Sequence, residues 1–146
     1  MRAVQNPGSR PYHPGMQRAT RQREAIFEAF AAADRPLAPG EILTHASRRV
    51  RGLGMATVYR TIKGALGQRR LVRVDIPGEP PRYELAGKKH HHHFSCTACG
   101  KVYEIHDCPG ELRFMTPRGF EFHSHELVLF GRCAVCVRTK PAMRRR

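Results

Sequence analysis

The sequence predicts an α+β fold in two small units, a helical unit that ends in a β-hairpin and a cysteine-rich unit that mixes helix and strand. In the first part of the chain, apolar residues recur at helical spacing and are followed by two short strand patterns. Five cysteines and seven of the nine histidines lie after residue 89. A chain of 146 residues has room for two small cores, and small domains often need a metal or a partner chain for stability.

The first predicted helix runs from Thr20, as its N-cap, to Ala33, and the second begins near Pro39. A glycine-containing turn at residues 52–54 precedes a third helix over residues 55–68. One stripe of this third helix is apolar, and its other faces carry Thr57, Tyr59, Arg60, Thr61 and Lys63. A third helix of this kind is typical of a helix-turn-helix, which inserts it into the major groove of DNA.

Strand patterns at residues 71–74 and 82–85 are joined by a segment rich in proline and glycine, which predicts a hairpin wing. Three helices and a wing predict a winged helix-turn-helix domain over residues 18–85, followed by a hinge at residues 86–89. Residues 1–17 are polar and rich in proline and glycine, which predicts a flexible basic arm.

The charge is strongly positive, with 26 Lys and Arg against 12 Asp and Glu, a formal net charge of +14. Such an excess attracts polyanions. Residues 42–74 contain no acid, and their basic side chains are Arg48, Arg49, Arg51, Arg60, Lys63, Arg69, Arg70 and Arg73. Because a solvated surface usually mixes both signs of charge, this pattern favours contact with nucleic-acid phosphates.

Two C-x-x-C pairs, Cys96 with Cys99 and Cys133 with Cys136, are separated by 33 residues. Four thiolates at this spacing predict a closed tetrahedral zinc site in a reducing compartment. Cys108 belongs to neither pair, and we expect it to be a buried or incidental thiol. No apolar run is long enough to span a membrane, and the N-terminus lacks the apolar region of a signal peptide, so we expect a cytoplasmic protein without a membrane partner.

Around the first cysteine pair we predict strands at residues 93–95 and 102–105, then a short helix at 109–115 and a long strand at 120–130. These elements form a metal-binding α/β domain over residues 90–138, and residues 139–146 form a basic tail.

Four consecutive histidines, residues 90–93, precede Cys96. On an extended segment alternate side chains face opposite sides, so His90 and His92 can serve one metal site, and His91 and His93 another. Imidazole and carboxylate ligands together suit zinc, ferrous iron, manganese or nickel, and the residues available to complete the sites are Glu104, Glu111, His123 and His125.

Three motifs together resemble the ferric uptake regulator family, whose members sense iron, zinc, manganese, nickel or peroxide. The motifs are A-T-V-Y-R-T at residues 56–61, H-H-H-H-F-S-C-T-A-C-G-K-V at residues 90–102, and H-E-L-V-L-F-G-R-C at residues 125–133. The resemblance covers residues 18–137.

This resemblance implies a homodimer that binds a palindromic DNA operator and represses transcription when its regulatory metal is bound. Tyr59 and Arg60 match family positions that approach DNA, and Thr57, Lys63 and Arg70 complete the predicted DNA surface. The two cysteine pairs match the family's structural zinc ligands. A regulatory site, for Zn²⁺ or Fe²⁺ first and Mn²⁺ or Ni²⁺ next, matches His90, His92, Glu111 and His125.

The resemblance also implies a second metal site between the domains, made by Glu84, His91, His93 and Glu104. Pro36 stands where the family usually has a histidine ligand, which predicts a weaker or altered site. Glu104 stands where peroxide sensors of the family have an aspartate, which argues against peroxide sensing.

Two other functions remain open on the residues alone. A metalloenzyme would use histidine and carboxylate ligands around an open coordination position, but a helix-turn-helix with a basic stripe has no use in a small hydrolase, so we expect no enzyme activity. A zinc-ribbon RNA-binding protein would show stacking aromatics on an exposed sheet. The chain has no Trp, and we expect its Tyr and Phe residues mostly on core stripes.

Overall fold

The computed structural model describes residues 14–110 and 112–139. The N-terminal unit contains the predicted helices and wing, namely α1 (Pro14–Ala33), α2 (Pro39–Ser47), α3 (Met55–Gly67), β1 (Leu71–Val74) and β2 (Arg82–Leu85). The two strands pair antiparallel, with Leu71 opposite Leu85. The apolar stripes of the helices and the hairpin close over one core, whose most buried side chains include Ile26, Phe30, Leu37, Ile42, Val58, Ile62 and Leu71.

The start of α1 differs from the prediction. Thr20 is not an N-cap but lies inside the helix, where its hydroxyl donates a hydrogen bond to the Met16 carbonyl at 3.0 Å. The helix begins at Pro14 because proline suits the first helical turn and residues 17–19 are good helix formers. Residues 14–17 of the predicted flexible arm are therefore helical, and the rest of that arm lies outside the described residues.

The C-terminal unit is built around a three-stranded sheet in the order β4-β3-β5. Its elements are β3 (His92–Cys96), β4 (Val102–Ile105), β5 (Val128–Gly131) and α4 (Ala134–Arg138), with a 3₁₀ turn at Arg113–Met115 before β5. The central strand β3 runs antiparallel to β4 and parallel to β5. The predicted basic tail from residue 140 onward lies outside the described residues.

Two predicted elements of this unit are wrong. The long strand at 120–130 is reduced to Val128–Gly131, because only this end of the segment reaches β3 as a hydrogen-bonding neighbour. The helix at 109–115 is reduced to the 3₁₀ turn, because Gly110 has a φ of +85°, which leaves the helical region. The short helix α4 was not predicted.

Several aromatic side chains of the C-terminal unit lie on the surface, contrary to the expectation that Tyr and Phe are mostly in the core. Phe114 is 82% exposed, Phe120 is 73% exposed and Phe130 is 51% exposed. Exposed apolar side chains of this size are typical of surfaces that meet a partner.

The two units contact each other through the wing. Arg82 forms an ion pair with Glu79 at 2.7 Å and donates a hydrogen bond to the Gly100 carbonyl at 2.5 Å. Glu79 also accepts a hydrogen bond from the Ser95 hydroxyl, and a small apolar cluster places Val74 against Val102. The position of the N-terminal unit is therefore linked to β3 by direct contacts. In the part of the chain that the structure describes, no helix is long and apolar enough to cross a membrane.

Candidate metal centres and nucleic-acid surface

The four cysteines of the two C-x-x-C pairs meet in one cluster. Cys96 ends β3, Cys99 lies in the turn before β4, Cys133 is the N-cap of α4 and Cys136 lies within that helix. Their sulfur atoms all lie within 4.8 Å of one another, and the Sγ atoms of Cys99 and Cys133 are 3.9 Å apart. Zinc–sulfur bonds of about 2.3 Å at the tetrahedral angle place sulfurs about 3.8 Å apart, so the arrangement fits a structural zinc ion.

Backbone amides of the two turns favour thiolates in this cluster. The Cys133 amide donates a hydrogen bond to Cys96 Sγ at 3.2 Å, which is the main reason that the pKa of Cys96 falls to about 6. The Cys136 amide likewise lowers the pKa of Cys133. The hydrogen bond to the neighbouring Cys133 sulfur raises the pKa of Cys136 to about 12. A bound zinc ion would neutralise the negative charge that these sulfurs accumulate and would join the end of β3 to α4.

The first histidine cluster consists of His90, His92, His125 and Cys108. The Nε2 atoms of His90 and His92 lie 3.2 Å apart, and the ring centroids of His92 and His125 lie 4.9 Å apart. His92 is buried, which is the main reason that its pKa is lowered. Three of the four predicted regulatory ligands therefore meet in the structure, whereas Glu111 lies outside the described residues.

Cys108 is the residue of this cluster that sequence reasoning missed. It is exposed rather than buried, and its Sγ lies 3.3 Å from His125 Nε2 and 3.7 Å from His90 Nε2. The path of the loop after β4 brings Cys108 close to the histidines. The spacing of Cys108 in the sequence therefore could not predict this contact.

The second histidine cluster consists of Glu84, His91 and His93, and it connects the two units. His91 Nε2 lies 3.1 Å from one Glu84 oxygen, and His93 Nε2 lies 3.8 Å from the other. Burial would raise the pKa of Glu84, but the neighbouring His93 ring and the nearby charges of His91 and Lys88 lower it overall. Glu84 belongs to the wing strand β2, His91 directly precedes β3 and His93 lies in β3, so a metal held here would bridge the N-terminal and C-terminal units.

Glu104, the fourth residue predicted for the second site, does not join this cluster. Its buried carboxylate instead pairs with Lys88, whose ammonium group also lies 4.0 Å from Glu84 and 3.7 Å from Asp34. Pro36 is buried and offers no ligand atom. His123, another residue considered for the metal sites, is exposed and lies 4.0 Å from Glu121, outside both clusters.

The predicted DNA surface lies on the outer side of α3. Tyr59, Arg60 and Lys63 are exposed, and Thr57 is half-buried and accepts a hydrogen bond from Arg60 at 3.1 Å. Within residues 14–110 and 112–139, no acidic side chain forms an ion pair with Arg60 or Lys63. By contrast, Arg49 pairs with Glu28, and Arg73 pairs with Asp75. The charges of Arg60 and Lys63 are thus available to a polyanion.

Arg70 lies apart from the exposed face of α3, with its guanidinium 3.9 Å from the centre of the Phe27 ring. It lines a groove between α1 and α3 together with Arg23 and Arg60. Its charge therefore contributes to the same basic surface while its side chain packs on the helical core.

The sequence and the structure are both similar to known proteins. The profile of the ferric uptake regulator family matches residues 15–130. The ferric uptake regulation protein of Campylobacter jejuni is 29% identical over 122 residues, covering 80% of this chain and 78% of that protein. The zinc uptake regulation protein of Mycobacterium tuberculosis is 30% identical over 122 residues, covering 82% and 94%. The solved ferric uptake regulator of Helicobacter pylori, described as having three functional metal binding sites, superposes with a TM-score of 0.63 at 25% identity, covering 82% and 81%.

The four-cysteine cluster predicts that Cys133→Ser will remove one zinc ion per chain and unfold the C-terminal unit. The loss is expected to be severe because binding of a structural zinc contributes on the order of 10 kcal/mol to the folding of small zinc domains. Zinc content by elemental analysis and thermal unfolding by circular dichroism measure both effects. The matched control is Cys108→Ser, which removes a thiol outside the cluster and should keep the structural zinc. Unfolding of the C-terminal unit in Cys108→Ser as severe as in Cys133→Ser would contradict this ligand set.

Proposed function

Because this chain belongs to the ferric uptake regulator family, we propose that it is a metal-dependent repressor that binds a palindromic DNA operator as a homodimer. It acts on genes of metal homeostasis in the cytoplasm, and it performs no catalysis. Zinc and ferrous iron are the first candidates for the regulatory metal, since its relatives include a zinc uptake regulation protein and a ferric uptake regulation protein. Nickel also suits imidazole ligands, and manganese suits the carboxylate ligands that would complete such a site.

The observation that carries this proposal is the position of the two histidine clusters beside the joint between the units. The segment 90–93 supplies two histidines to each cluster. One of the two clusters includes Glu84 of the wing, so metal binding here would favour one orientation of the DNA-binding unit over others. A metal that binds this orientation more tightly shifts the population toward it, and the gain in DNA affinity equals the coupling free energy.

DNA contact by α3 is supported by its exposed polar and cationic side chains. Tyr59 and Arg60 offer hydrogen-bond donors for base edges, and Lys63 offers a point charge for a phosphate. Arg60 is oriented by its hydrogen bond to Thr57, which reduces the entropy lost when it contacts a base. The surrounding surface is basic because residues 42–74 contain no acid.

Dimerisation through the C-terminal unit is supported by its exposed apolar side chains, which are Phe114, Met115, Phe120, Leu129 and Phe130. β5 lies at an edge of the described sheet and presents Leu129 and Phe130 on its two faces. Edge strands with exposed apolar side chains are favourable sites for pairing with another chain. A twofold dimer would place two copies of α3 on the two halves of a palindrome.

Arg60→Ala is predicted to weaken operator binding by about 1–3 kcal/mol and to relax the choice of base, as expected for an arginine that reaches a base edge. Fluorescence anisotropy with the operator duplex and with single-base variants measures both effects. Arg118→Ala removes the same charge from an exposed position of the C-terminal unit and serves as the control. If both variants lose affinity equally on every duplex, the effect of Arg60 is general electrostatics and the base contact is wrong.

His92→Ala is predicted to abolish metal-dependent tightening on the operator, which for a coupling of about 1–3 kcal/mol is roughly 5- to 150-fold. Structural zinc, dimer and weak non-specific DNA binding should remain. Because His92 is buried, His90→Ala is the companion variant, since it removes an exposed ligand of the same cluster.

His91→Ala, in the second cluster, should reduce the response less. That cluster has three members, and Glu104, the acid predicted to complete it, forms an ion pair with Lys88 instead. Operator titrations at buffered free metal concentrations compare the three variants. Loss of the response in His91→Ala with retention in His92→Ala and His90→Ala would identify the second cluster as the sensor instead.

A further inference from the structure

The first histidine cluster contains a sulfur atom at the place where a fourth ligand is required. Resting on the regulatory role proposed above, we propose that the Cys108 thiolate ligates the regulatory metal together with His90, His92 and His125. The site would then be a centre of three imidazoles and one thiolate that favours Zn²⁺ over metals that prefer oxygen ligands, such as Mn²⁺.

The distances in the cluster fit a tetrahedral zinc centre. Zn–N bonds of 2.0–2.1 Å and a Zn–S bond of 2.3 Å at the tetrahedral angle place nitrogen and sulfur about 3.6 Å apart and two nitrogens about 3.3 Å apart. The two observed separations from Cys108 Sγ to histidine Nε2 atoms are 3.3 and 3.7 Å. The observed Nε2–Nε2 separation of His90 and His92 is 3.2 Å. Three edges of the tetrahedron therefore have the lengths that a bound zinc ion requires.

The surroundings also indicate a ligand. His92 is only 2% exposed, yet its Nε2 faces the Nε2 of His90, and its Nδ1 has no hydrogen-bond partner among the described residues. Two imidazole nitrogens directed at each other can share one proton in a hydrogen bond. A metal ion between them could instead bind the lone pairs of both nitrogens. Cys108 is exposed, so packing in a core does not account for its position beside the histidines.

A sulfur ligand changes which metal the site selects. Thiolates favour zinc and other soft or borderline metals, whereas carboxylates suit manganese and magnesium. The family resemblance assigns the fourth position to Glu111, three residues after Cys108, which lies outside the described residues. Cys108 and Glu111 are thus competing assignments with different metal preferences, and spectroscopy separates them.

The test uses Co²⁺ added to full-length protein that already holds one structural zinc per chain. Coordination of cobalt by sulfur produces a charge-transfer band in the near-ultraviolet, whereas nitrogen and oxygen ligands do not. We expect this band in the wild type and in Glu111→Gln, and its loss in Cys108→Ser. Zinc content measured before and after the titration shows that the four-cysteine cluster has not exchanged its metal.

A second readout needs no variant. With the structural zinc in place, Cys108 is the one cysteine outside the four-cysteine cluster, so a thiol reagent should label one sulfur per chain. Saturation with Zn²⁺ should protect this sulfur from labelling. The affinities of wild type and Cys108→Ser for Zn²⁺ and Mn²⁺ test the metal preference. Cys108→Ser should lower Zn²⁺ affinity by at least the roughly 10- to 100-fold that loss of a residue supporting a metal ligand costs, and it should change Mn²⁺ affinity less.

The outcomes separate this inference from the proposed function. Absence of a charge-transfer band after cobalt has saturated both histidine clusters, or unchanged labelling of Cys108 under the same conditions, overturns the sulfur ligand and leaves the metal-dependent repressor intact. A band that survives in Cys108→Ser but is lost with the metal in Glu111→Gln also overturns it. A wild-type protein that binds no metal beyond its structural zinc overturns both the inference and the proposed function.

Discussion

The alternation of side chains along residues 90–96, which comprise β3 and the two residues before it, is the constraint on which the rest of the structure depends. His90 and His92 face one cluster, and His91 and His93 face the other, because successive residues of an extended chain point to opposite sides. The same strand ends at Cys96, which belongs to the four-cysteine cluster. One strand thus connects two regulatory candidates to the site that stabilises the C-terminal unit, so a shift of its register by one residue would exchange the histidine faces.

The wing is the element that connects this strand to the N-terminal unit and its proposed DNA surface. Glu84 of β2 contacts His91, and Arg82 of the same strand reaches the Gly100 carbonyl in the turn after β3. Lys88 lies between these groups and neutralises Glu104, so the joint holds a cation even without a metal. We infer that a metal bound between the wing and the C-terminal unit changes an existing network of ion pairs. Such a change is consistent with a coupling free energy of a few kcal/mol and does not require a new element to fold.

The N-terminal unit could be predicted from the sequence because its signals are local: helical periodicity, Pro39 at a helix start and the proline-rich turn of the wing. The cysteine spacing likewise predicted the four-cysteine cluster. Residues 106–127 could not be predicted, because they lack periodicity and their positions depend on packing. The meeting of Cys108 with His125 and the shortening of the long strand to Val128–Gly131 are consequences of that packing. The pairing of Lys88 with Glu104 likewise joins two residues that are distant in the sequence.

The central claim is that binding of the regulatory metal and binding of the operator strengthen each other, and measuring this mutual effect on the two affinities tests it most directly. If a regulatory metal tightens operator binding, the operator must tighten metal binding by the same factor, roughly 5- to 150-fold for a coupling of about 1–3 kcal/mol. The measurement uses protein that holds its structural zinc, and it determines the affinity for further Zn²⁺ by competition with a chromophoric chelator. Three samples are compared: the protein alone, the protein with the operator duplex and the protein with a scrambled duplex. The account predicts tighter zinc binding with the operator, to the same extent that zinc tightens operator binding. An affinity for zinc that the operator leaves unchanged would contradict it.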